Sequence, residues 1–227
     1  RINGDDVDLE NRDEYESDPL AEDDEVLVTY VKRIESVNDF VIKFANVNGT
    51  GSASANTLLM KSIFRMGVPV VGKNVFPSNI QGLPTWYEMR VTGDGYAGRD
   101  SQIHFVIAMN PETYASDLAE LAPGGVLLYD STWPRPQLLA RQDVTVLGVP
   151  LSAMCNDAFK VARSRILMKN MAYVGAAAAL LNLDLSVIEQ LVREMFSTKE
   201  KLIPLNMQAV ALGHDYAKLK IRAGKFS

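Results

Sequence analysis

Residues 39–56 read DFVIKFANVNGTGSASAN, and this stretch decides the fold. The apolar run Phe40–Phe44 predicts a buried strand, and the glycine-rich run after it predicts a tight turn into a helix over Ala53–Met66. Such a turn leaves backbone N–H groups free at the helix N-terminus, where they bind phosphate. The loop lacks the G-x-G-x-x-G spacing of dinucleotide-binding folds, and no Gly-Lys-Ser/Thr of a P-loop follows it. The stretch therefore predicts an anion site that neither of those two motifs describes.

Strand-like and helix-like runs alternate through the next hundred residues. Further strands are predicted at Val68–Val71, Thr85–Thr92, Phe105–Met109, Val126–Tyr129 and Val144–Val149. A helix over Asn110–Leu121 is expected to end at Pro123-Gly124-Gly125. The alternation predicts an α/β fold, a Rossmann-like three-layer domain with a mostly parallel sheet and a helical C-terminal part.

The C-terminal third is predicted to be helical. One long helix is expected over Ala153–Asn182, followed by helices at Leu185–Phe196 and Ser197–Ala217, the last broken by Pro204. The small residues from Gly175 to Ala179 allow another helix to approach closely. We expect that helix to belong to another subunit slightly more than to this chain.

Charge is distributed unevenly along the 227 residues. Residues 1–25 carry twelve acidic side chains against Arg1 and Arg12, a net charge of −10, while the other 202 residues carry sixteen acids and twenty-one bases, a net charge of +5. We therefore divide the chain into an acidic N-terminal arm (1–36), one domain (37–220) and a tail (221–227). Clustered basic residues interleaved with aromatics are missing, so nucleic acid is not an expected partner. Neither a signal peptide nor a membrane-length apolar run is present, which favours a cytoplasmic protein.

The residues that most often carry chemistry are few. Cys155 is the only cysteine, which excludes an intrachain disulfide and a cluster or zinc site built from cysteines of this chain. We expect it to be a small buried apolar residue. His104 and His214 have no neighbouring set of ligands or nucleophile, so neither a metal site nor a catalytic triad is predicted. Arg65 and Lys73 flank the predicted anion loop in sequence, but solvated charges are the preferred interpretation.

Four segments together resemble one known family. FANVNGTGSASAN, NVFPSNIQGLPTWYEMRV, APGGVLLYDST and KNMAYVGAAAALL occur in the order and spacing of the gamma subunit, or gamma domain, of 2-oxoacid:ferredoxin oxidoreductases. The likeness is greatest to the 2-oxoglutarate type, in which this unit often forms the N-terminal part of a longer alpha chain. It runs from about Val37 to Ala217, which is nearly all of the chain beyond the acidic arm.

The resemblance implies a function shared between subunits. Enzymes of this family oxidatively decarboxylate a 2-oxoacid, transfer the acyl group to coenzyme A and pass electrons to ferredoxin. Thiamine diphosphate, Mg²⁺ and a [4Fe-4S] cluster are then expected on the alpha and beta partner subunits. This chain would contribute part of the coenzyme A site and an assembly surface, without being catalytically complete alone.

The resemblance also implies which residues bind coenzyme A. The anion loop supplies Asn48, Gly49, Thr50, Gly51, Ser52 and Ala53, with Asn56 in the first helical turn, and a second element supplies Ser78, Asn79, Gln81 and Gly82. Many relatives have glycine where this sequence has Asn46 and Asn48, and asparagine tolerates positive φ better than other non-glycine residues. We expect the two loops to face each other across the strand ends, and we assign no catalytic residue and no metal ligand.

Two other functions remain open from the residues alone. One is a purely structural or assembly subunit of such a complex, whose loop binds nothing. The other is a stand-alone Rossmann-like nucleotide-binding protein. Lys73 stands near the end of the second predicted strand, where NAD-binding proteins carry an acidic residue, and this disfavours NAD as the ligand.

Overall fold

The computed structural model describes residues 38–47, 50–75, 84–95, 98, 102–136 and 141–222. The predictions for the acidic arm, for Asn48 and Gly49 and for the second site element at 78–82 lie outside these residues. None of the helices in these ranges is long and apolar enough to cross a membrane.

Six strands form one mixed sheet with the order β2-β3-β1-β4-β5-β6. The strands are β1 Asp39–Asn46, β2 Val70–Val75, β3 Thr85–Thr92, β4 Ile103–Ala108, β5 Leu121–Asp130 and β6 Thr145–Val149. β1, β4, β5 and β6 run parallel, whereas β3 runs antiparallel between β1 and β2. The predicted α/β fold with a mostly parallel sheet is therefore confirmed.

Helices cover both faces of the sheet unequally. They are α1 Ser52–Arg65, α2 Tyr114–Glu120, α3 Leu151–Ala158, α4 Ala162–Leu180, α5 Leu185–Met195 and α6 Ile203–Arg222, with a short 3₁₀ turn at Glu200–Leu202. Side chains of α1 and α3–α6 share one large apolar core with one face of the sheet. The other face packs against α2 in a smaller core.

Strand β1 shows how the sequence builds the two cores. Its alternate residues Ile42 and Phe44 enter the large core, while Val41 enters the small one. Lys43 also faces the α2 side, where its Nζ lies 2.5 Å from Glu120 Oε2, 3.6 Å from Asp117 Oδ1 and 4.8 Å from the centre of the Trp86 ring. Because both faces are buried, β1 reads as a nearly continuous apolar run.

The single helix predicted over Ala153–Asn182 is wrong, because the chain breaks between α3 and α4. Phe159 and Val161 are extended, with φ/ψ of −120°/124° and −88°/123°. The Arg165 guanidinium stabilises the break by donating from Nε to the Phe159 carbonyl at 2.7 Å and from Nη2 to that of Lys160 at 3.3 Å. These bonds satisfy carbonyls that a continuous helix would have used internally.

Two further element boundaries differ from the sequence prediction. Pro204 does not break a helix, because it is the second residue of α6, where its missing N–H has no intrahelical partner to lose. Pro123-Gly124-Gly125 does not separate α2 from β5, since α2 ends at Glu120 and β5 begins at Leu121. Gly124 has φ +80°, and the pairing of β4 with β5 shifts register there, so the segment is an irregularity inside a strand.

The small-residue run after Gly175 packs inside this chain, so the preferred expectation of contact with another subunit is wrong. Ala176–Ala178 have no exposed surface, and α4 lies directly on α6. A Cβ atom added to Gly175 would lie 1.9 Å from the Val210 carbonyl oxygen, and one added to Gly213 would lie 1.8 Å from that of Ala172. The two helices therefore touch backbone to backbone, which only glycine permits.

Candidate functional site

The candidate site lies at the edge of the sheet where the parallel strands end. Because β1, β4, β5 and β6 run in one direction, their last residues Asn46, Ala108, Asp130 and Val149 lie along the same edge. From β1 the chain passes through α1 to β2 on one side, whereas β4, β5 and β6 follow on the other side. Such a change of direction opens a crevice at the carboxyl ends of the strands, and ligands bind there in open α/β sheets.

The predicted anion loop enters α1 at this edge without a side-chain cap. Gly51 is the N-cap residue with φ +82° and ψ 13°, and because it has no side chain the N-cap position offers no side-chain acceptor to the first turn. The first turn carries no acidic residue, and Ala53 is exposed. The N–H groups of the first turn of α1 and the positive end of the helix dipole are therefore available to an anion.

Helix α4 holds this loop in place. Asn170 Nδ2 donates to the Thr50 carbonyl at 2.6 Å, and a Cβ on Gly51 would lie 2.8 Å from Leu167 Cδ2. The fully buried Tyr173 donates from its hydroxyl to Asn56 Oδ1 at 2.8 Å, with the Ser52 carbonyl 3.4 Å away. The loop conformation is thus fixed by side chains from a helix that begins more than a hundred residues later in the chain.

The structure places the described members of the predicted site in two environments. Thr50, Gly51, Ser52 and Ala53 lie together at the start of α1, and Thr50 Oγ1 closes the turn by donating to the Val47 carbonyl at 2.7 Å. Asn56 is only 2% exposed and faces Tyr173 in the interior. Its side chain therefore joins α1 to α4, one turn below the exposed N–H groups.

The second predicted element, residues 78–82, lies outside the described residues, but the strands on both sides of it are described. β2 ends at Val75, which is paired with Trp86, and β3 begins at Thr85, which is paired with Asn46. Both strand ends lie at the same edge as the start of the anion loop.

A cluster of polar side chains around Asp130 lies further along the same edge. Asp130 is 5% exposed and accepts hydrogen bonds from Thr132 Oγ1 at 2.6 Å and Ser152 Oγ at 2.5 Å, as well as from the N–H groups of both residues. Lys169 Nζ lies 3.6 Å from its Oδ2. From the sequence, no role was predicted for Asp130, Lys169, Asn170 or Tyr173. The one available indication was that Asp130 falls in the APGGVLLYDST segment and the other three in the KNMAYVG segment.

Cys155 is buried next to this cluster and is not a reactive thiol. Its side chain is 1% exposed, and burial together with the Asp130 carboxylate raises the pKa of the thiol to about 11. The thiolate is the nucleophilic form of cysteine, so the folded chain holds Cys155 in its unreactive form at neutral pH. The expected small buried residue is confirmed.

The other candidate residues do not reach the anion loop. Arg65, at the opposite end of α1, pairs with Glu194 at 2.7 Å, and Lys73 pairs with Glu88 at 3.4 Å. In the described part of the chain, no three His, Cys, Asp or Glu side chains are placed to share a metal ion. A separate open cavity of about 660 Å³ between α5 and α6, lined by residues such as Glu189, Arg193 and Met207, has no connection with the strand ends.

Comparison with known proteins agrees with the fold. The family model for pyruvate ferredoxin/flavodoxin oxidoreductase matches residues 41–216. A curated relative, subunit alpha of 2-oxoacid:ferredoxin oxidoreductase 2 of Aeropyrum pernix, is 24% identical over 219 aligned residues, which cover 79% of this chain and 34% of the relative. The chain thus spans about a third of the length of that relative.

Solved structures with the same fold come from three organisms. The 2-oxoglutarate:ferredoxin oxidoreductase of Magnetococcus marinus, solved with 2-oxoglutarate, coenzyme A and succinyl-CoA bound, is similar with a TM-score of 0.70 and 22% identity over 81% of this chain and 32% of that one. The gamma subunit of keto/oxoacid ferredoxin oxidoreductase of Geobacter sulfurreducens gives a TM-score of 0.62 and 20% identity, over 78% of this chain and 98% of that one. Pyruvate oxidoreductase subunit PORC of Thermotoga maritima gives 0.64 and 17%, over 79% and 97%.

The family model covers most of the domain, including β1, the anion loop and α4. The Geobacter gamma subunit and the Thermotoga subunit PORC are matched over nearly their whole length, whereas the Aeropyrum alpha subunit and the Magnetococcus chain are matched over about a third. The match of the family model to residues 41–216 shows that the chain belongs to the pyruvate ferredoxin/flavodoxin oxidoreductase family.

Proposed function

We propose that this chain is the gamma-type unit of a 2-oxoacid:ferredoxin oxidoreductase and that it binds coenzyme A for the enzyme. The observation that supports this function is the uncapped N-terminus of α1, which opens at the switch point of the sheet and is held there by Asn170 and Tyr173. In one relative of the same fold, coenzyme A and succinyl-CoA are bound together with 2-oxoglutarate. We therefore propose 2-oxoglutarate as the 2-oxoacid of the whole enzyme.

The arrangement of the loop fits a phosphate group of coenzyme A. Gly51 brings the chain into the helix without a Cβ, so the backbone of Ser52 and Ala53 can lie close to the phosphate oxygens. Lys169 adds a positive charge at the same edge, although Asp130 neutralises part of it. A bound coenzyme A would supply the thiol that accepts the acyl group, and this chain would contribute positioning instead of acid–base catalysis.

The remaining chemistry is proposed to take place on partner subunits. Thiamine diphosphate, Mg²⁺ and a [4Fe-4S] cluster would lie on alpha and beta units, from which electrons pass to ferredoxin. The lone cysteine of this chain is buried with a raised pKa, which agrees with a cluster ligated elsewhere. Ser78, Asn79, Gln81 and Gly82, which precede β3, are proposed to complete the coenzyme A site.

The substitution Ala53→Asp tests this function in the purified enzyme. A carboxylate in the first turn stabilises an isolated helix by about 0.3–1 kcal/mol but repels a phosphate that binds to the same N–H groups. We expect the KM for coenzyme A to rise about tenfold or more, while the thermal unfolding temperature stays the same or rises.

Two matched variants make this experiment specific. Ala211→Asp puts the same charge on an exposed position of α6, and Ala53→Asn adds a side chain of the same shape without the charge. Both are expected to leave the KM for coenzyme A near that of the unmodified enzyme. An unchanged KM in Ala53→Asp would contradict coenzyme A binding at this loop.

A purely structural role in assembly is the second candidate, and a surface feature favours it. Val161 and Ile166 at the start of α4 are 62% and 51% exposed. Trp133, which follows β5, is 56% exposed. Exposed apolar side chains that form a contiguous patch are typical of contacts between subunits. A role in assembly alone would be supported if the enzyme requires this chain to assemble but its KM for coenzyme A is unchanged in Ala53→Asp.

A further inference from the structure

The first two turns of helix α4 carry exposed apolar side chains on one side of the helix. Val161, which precedes the helix, is 62% exposed, and Ile166 and Leu167 are 51% and 43% exposed. At about 100° per residue, Ile166 and Leu167 lie with the exposed Ala162 and Arg163 inside an arc of about 140°. The apolar side chains of this part of α4 are therefore neighbours on a single surface.

Two basic side chains lie among these apolar ones. Lys160 and Arg163 are exposed, and neither belongs to an ion pair in the described part of the chain. No acidic residue occurs between Asp157 and Asp184, so helix α4 itself supplies no carboxylate to them. A surface with this composition is complementary to a partner surface that carries both apolar side chains and carboxylates.

The backbone at this surface is fixed before any partner binds. The Arg165 guanidinium donates to the carbonyls of Phe159 and Lys160, which holds the break between α3 and α4 in place. Further along α4, Asn170 Nδ2 donates to the Thr50 carbonyl and so ties the helix to the anion loop. A preformed surface loses less conformational entropy on binding, which favours a stable contact.

The relatives indicate what covers such a surface. This chain matches 34% of the Aeropyrum alpha subunit and 32% of the Magnetococcus chain, so most of each of those chains lies outside the match. A unit of such a chain has to present part of its own surface to the remainder.

We propose that the rest of the oxidoreductase docks on this part of α4, through a segment in which carboxylates flank apolar side chains. The docking surface consists of Lys160, Val161, Arg163, Ile166 and Leu167. This inference rests on the proposed function, because it takes the partner from the same enzyme. Leu167 Cδ2 also lies 2.8 Å from the position of a Cβ on Gly51, so a docked segment borders the anion loop.

Alkylation of the variant Ile166→Cys tests whether the docking surface is covered in the complete enzyme. Mass spectrometry would follow the peptide that contains position 166 during reaction with iodoacetamide, and Ala211→Cys on the exposed face of α6 is the matched control. Neighbouring cations favour the thiolate, so an uncovered thiol at position 166 would react at least as fast as the control. We expect it to react at least about 30-fold more slowly. Equal rates would overturn the inference.

Carbodiimide cross-linking of the complete enzyme tests which groups cover the surface. The reagent joins an ammonium group to a carboxylate in direct contact with it, so we expect Lys160 to be linked to an Asp or Glu that lies outside residues 1–227. Lys160→Arg is the control, because it keeps the charge but cannot form the amide. It should lose the link and leave the slow alkylation at position 166 unchanged.

The other results of the cross-linking experiment contradict the inference. A link from Lys160 to a carboxylate within residues 1–227 would assign the surface to a second copy or to the chain itself. Slow alkylation without any link would show a covering segment that lacks the expected carboxylates. Neither result affects the proposed function, because Ala53→Asp tests that function separately through the KM for coenzyme A.

Discussion

At the scale of single residues, Tyr173 has the largest role in holding the candidate site. It is fully buried, its ring lies against Phe44, and its hydroxyl donates to Asn56. Burial raises the pKa of this hydroxyl far above its ordinary value near 10, because a phenolate would be desolvated there. The bonds between α1 and α4 therefore require Tyr173 to keep its proton.

The raised pKa of Tyr173 predicts a loss of stability in alkali. A group whose pKa is higher in the folded chain gives its full stability below the unfolded pKa, near 10, and loses it as the pH rises towards the folded pKa. Each such tyrosine lowers the free energy of unfolding by about 1.4 kcal/mol per pH unit above pH 10. Tyr173→Phe should be about 1 kcal/mol less stable at pH 7 and should show a smaller slope in alkali.

Urea unfolding at pH 7, 10 and 11 checks this prediction. The variant keeps part of the slope, because burial and the Asp130 carboxylate also raise the pKa of Tyr114, to about 12. Tyr114→Phe, on the α2 side of the sheet, is therefore the comparison: it should lose its own part of the slope without affecting coenzyme A binding. Equal slopes in Tyr173→Phe and the unmodified chain would show that the Tyr173 proton is not linked to folding.

Cys155 predicts a second chemical behaviour of the folded chain. Its thiol is 1% exposed and has a pKa of about 11, so both access and thiolate content are low at pH 8. We expect a thiol reagent such as an aromatic disulfide to react at least about 100-fold more slowly with the native chain than with the chain in urea. If the native chain reacted rapidly with one full equivalent of the aromatic disulfide, the buried position of Cys155 would be contradicted.

The residues of the anion loop could be predicted from sequence because their signal is local. Glycine, serine and alanine follow directly on an apolar strand, and Gly51 needs no distant partner to explain its positive φ. The residues that hold the loop could not be predicted. Asn170 and Tyr173 lie 120 and 117 residues from their partners Thr50 and Asn56, and nothing in a helical pattern shows which polar side chain faces a distant loop.

At the scale of helices and strands, the crossing of α4 and α6 makes a prediction about packing. A Cβ at Gly175 or Gly213 would lie within 2 Å of a carbonyl oxygen of the other helix. Replacing glycine by alanine inside a helix normally stabilises it by about 1 kcal/mol. Here the overlap dominates, since backbone cannot rotate away, and Gly175→Ala or Gly213→Ala should destabilise the chain by about 1–3 kcal/mol.

Chemical denaturation of the two variants checks the sign of this effect. Gly93→Ala is the control, because a Cβ there would lie 3.7 Å from Asn38 Cβ, an ordinary contact distance. It should change the free energy of unfolding by about 0.5 kcal/mol or less. Stabilisation of α4 or α6 by alanine would mean that the helices lie further apart than the structure shows.

The elements themselves were predicted best where one signal dominated. β3 was predicted with the bounds that the structure shows, Thr85–Thr92, and its side chains alternate between the two faces, with Trp86 bonded to Asp117 on the α2 side and Met89 in the large core. The break between α3 and α4 was missed because neither glycine nor proline marks it. It depends on Val161 and on the Arg165 guanidinium, which could equally have faced solvent in a continuous helix.

At the scale of the whole molecule, the two sides of the sheet differ in the depth of their packing. Five helices share the large core, whereas the seven-residue α2 is the helix of the smaller one. Local opening is easiest where few apolar contacts must be broken. We expect amides of α2, such as that of Leu118, to exchange with solvent through an opening about 2 kcal/mol smaller than that of Val174 in α4.

Native-state hydrogen exchange measures both amides in one sample. The buried ion pair of Lys43 and Asp117 under α2 does not remove the difference, because burial raises the pKa of Asp117 and offsets part of its attraction to Lys43. Equal protection of Leu118 and Val174 would show that the two layers unfold as one unit.

The fold class could be read from the sequence, but the strand order could not. Alternating strands and helices are enough to predict a mostly parallel, covered sheet. The placement of β3 between β2 and β1 depends on the length of the connection at 76–84 and on which strand edge is free, and neither is encoded in hydrophobic periodicity.

The hold of α4 on the anion loop has a consequence for protein engineering. Asn170 bonds to the carbonyl of Thr50, a main-chain atom that every residue has, and the clearance at Gly51 is set mainly by Leu167 Cδ2, with Asn170 Nδ2 further away at 3.8 Å. The side chains at positions 50, 52 and 53 can therefore be exchanged without changing that attachment. A loop from a relative should then be accepted at positions 50–53 if Gly51 and Asn56 are kept together with the α4 residues that contact them or the loop. Those α4 residues are Leu167, Asn170 and Tyr173.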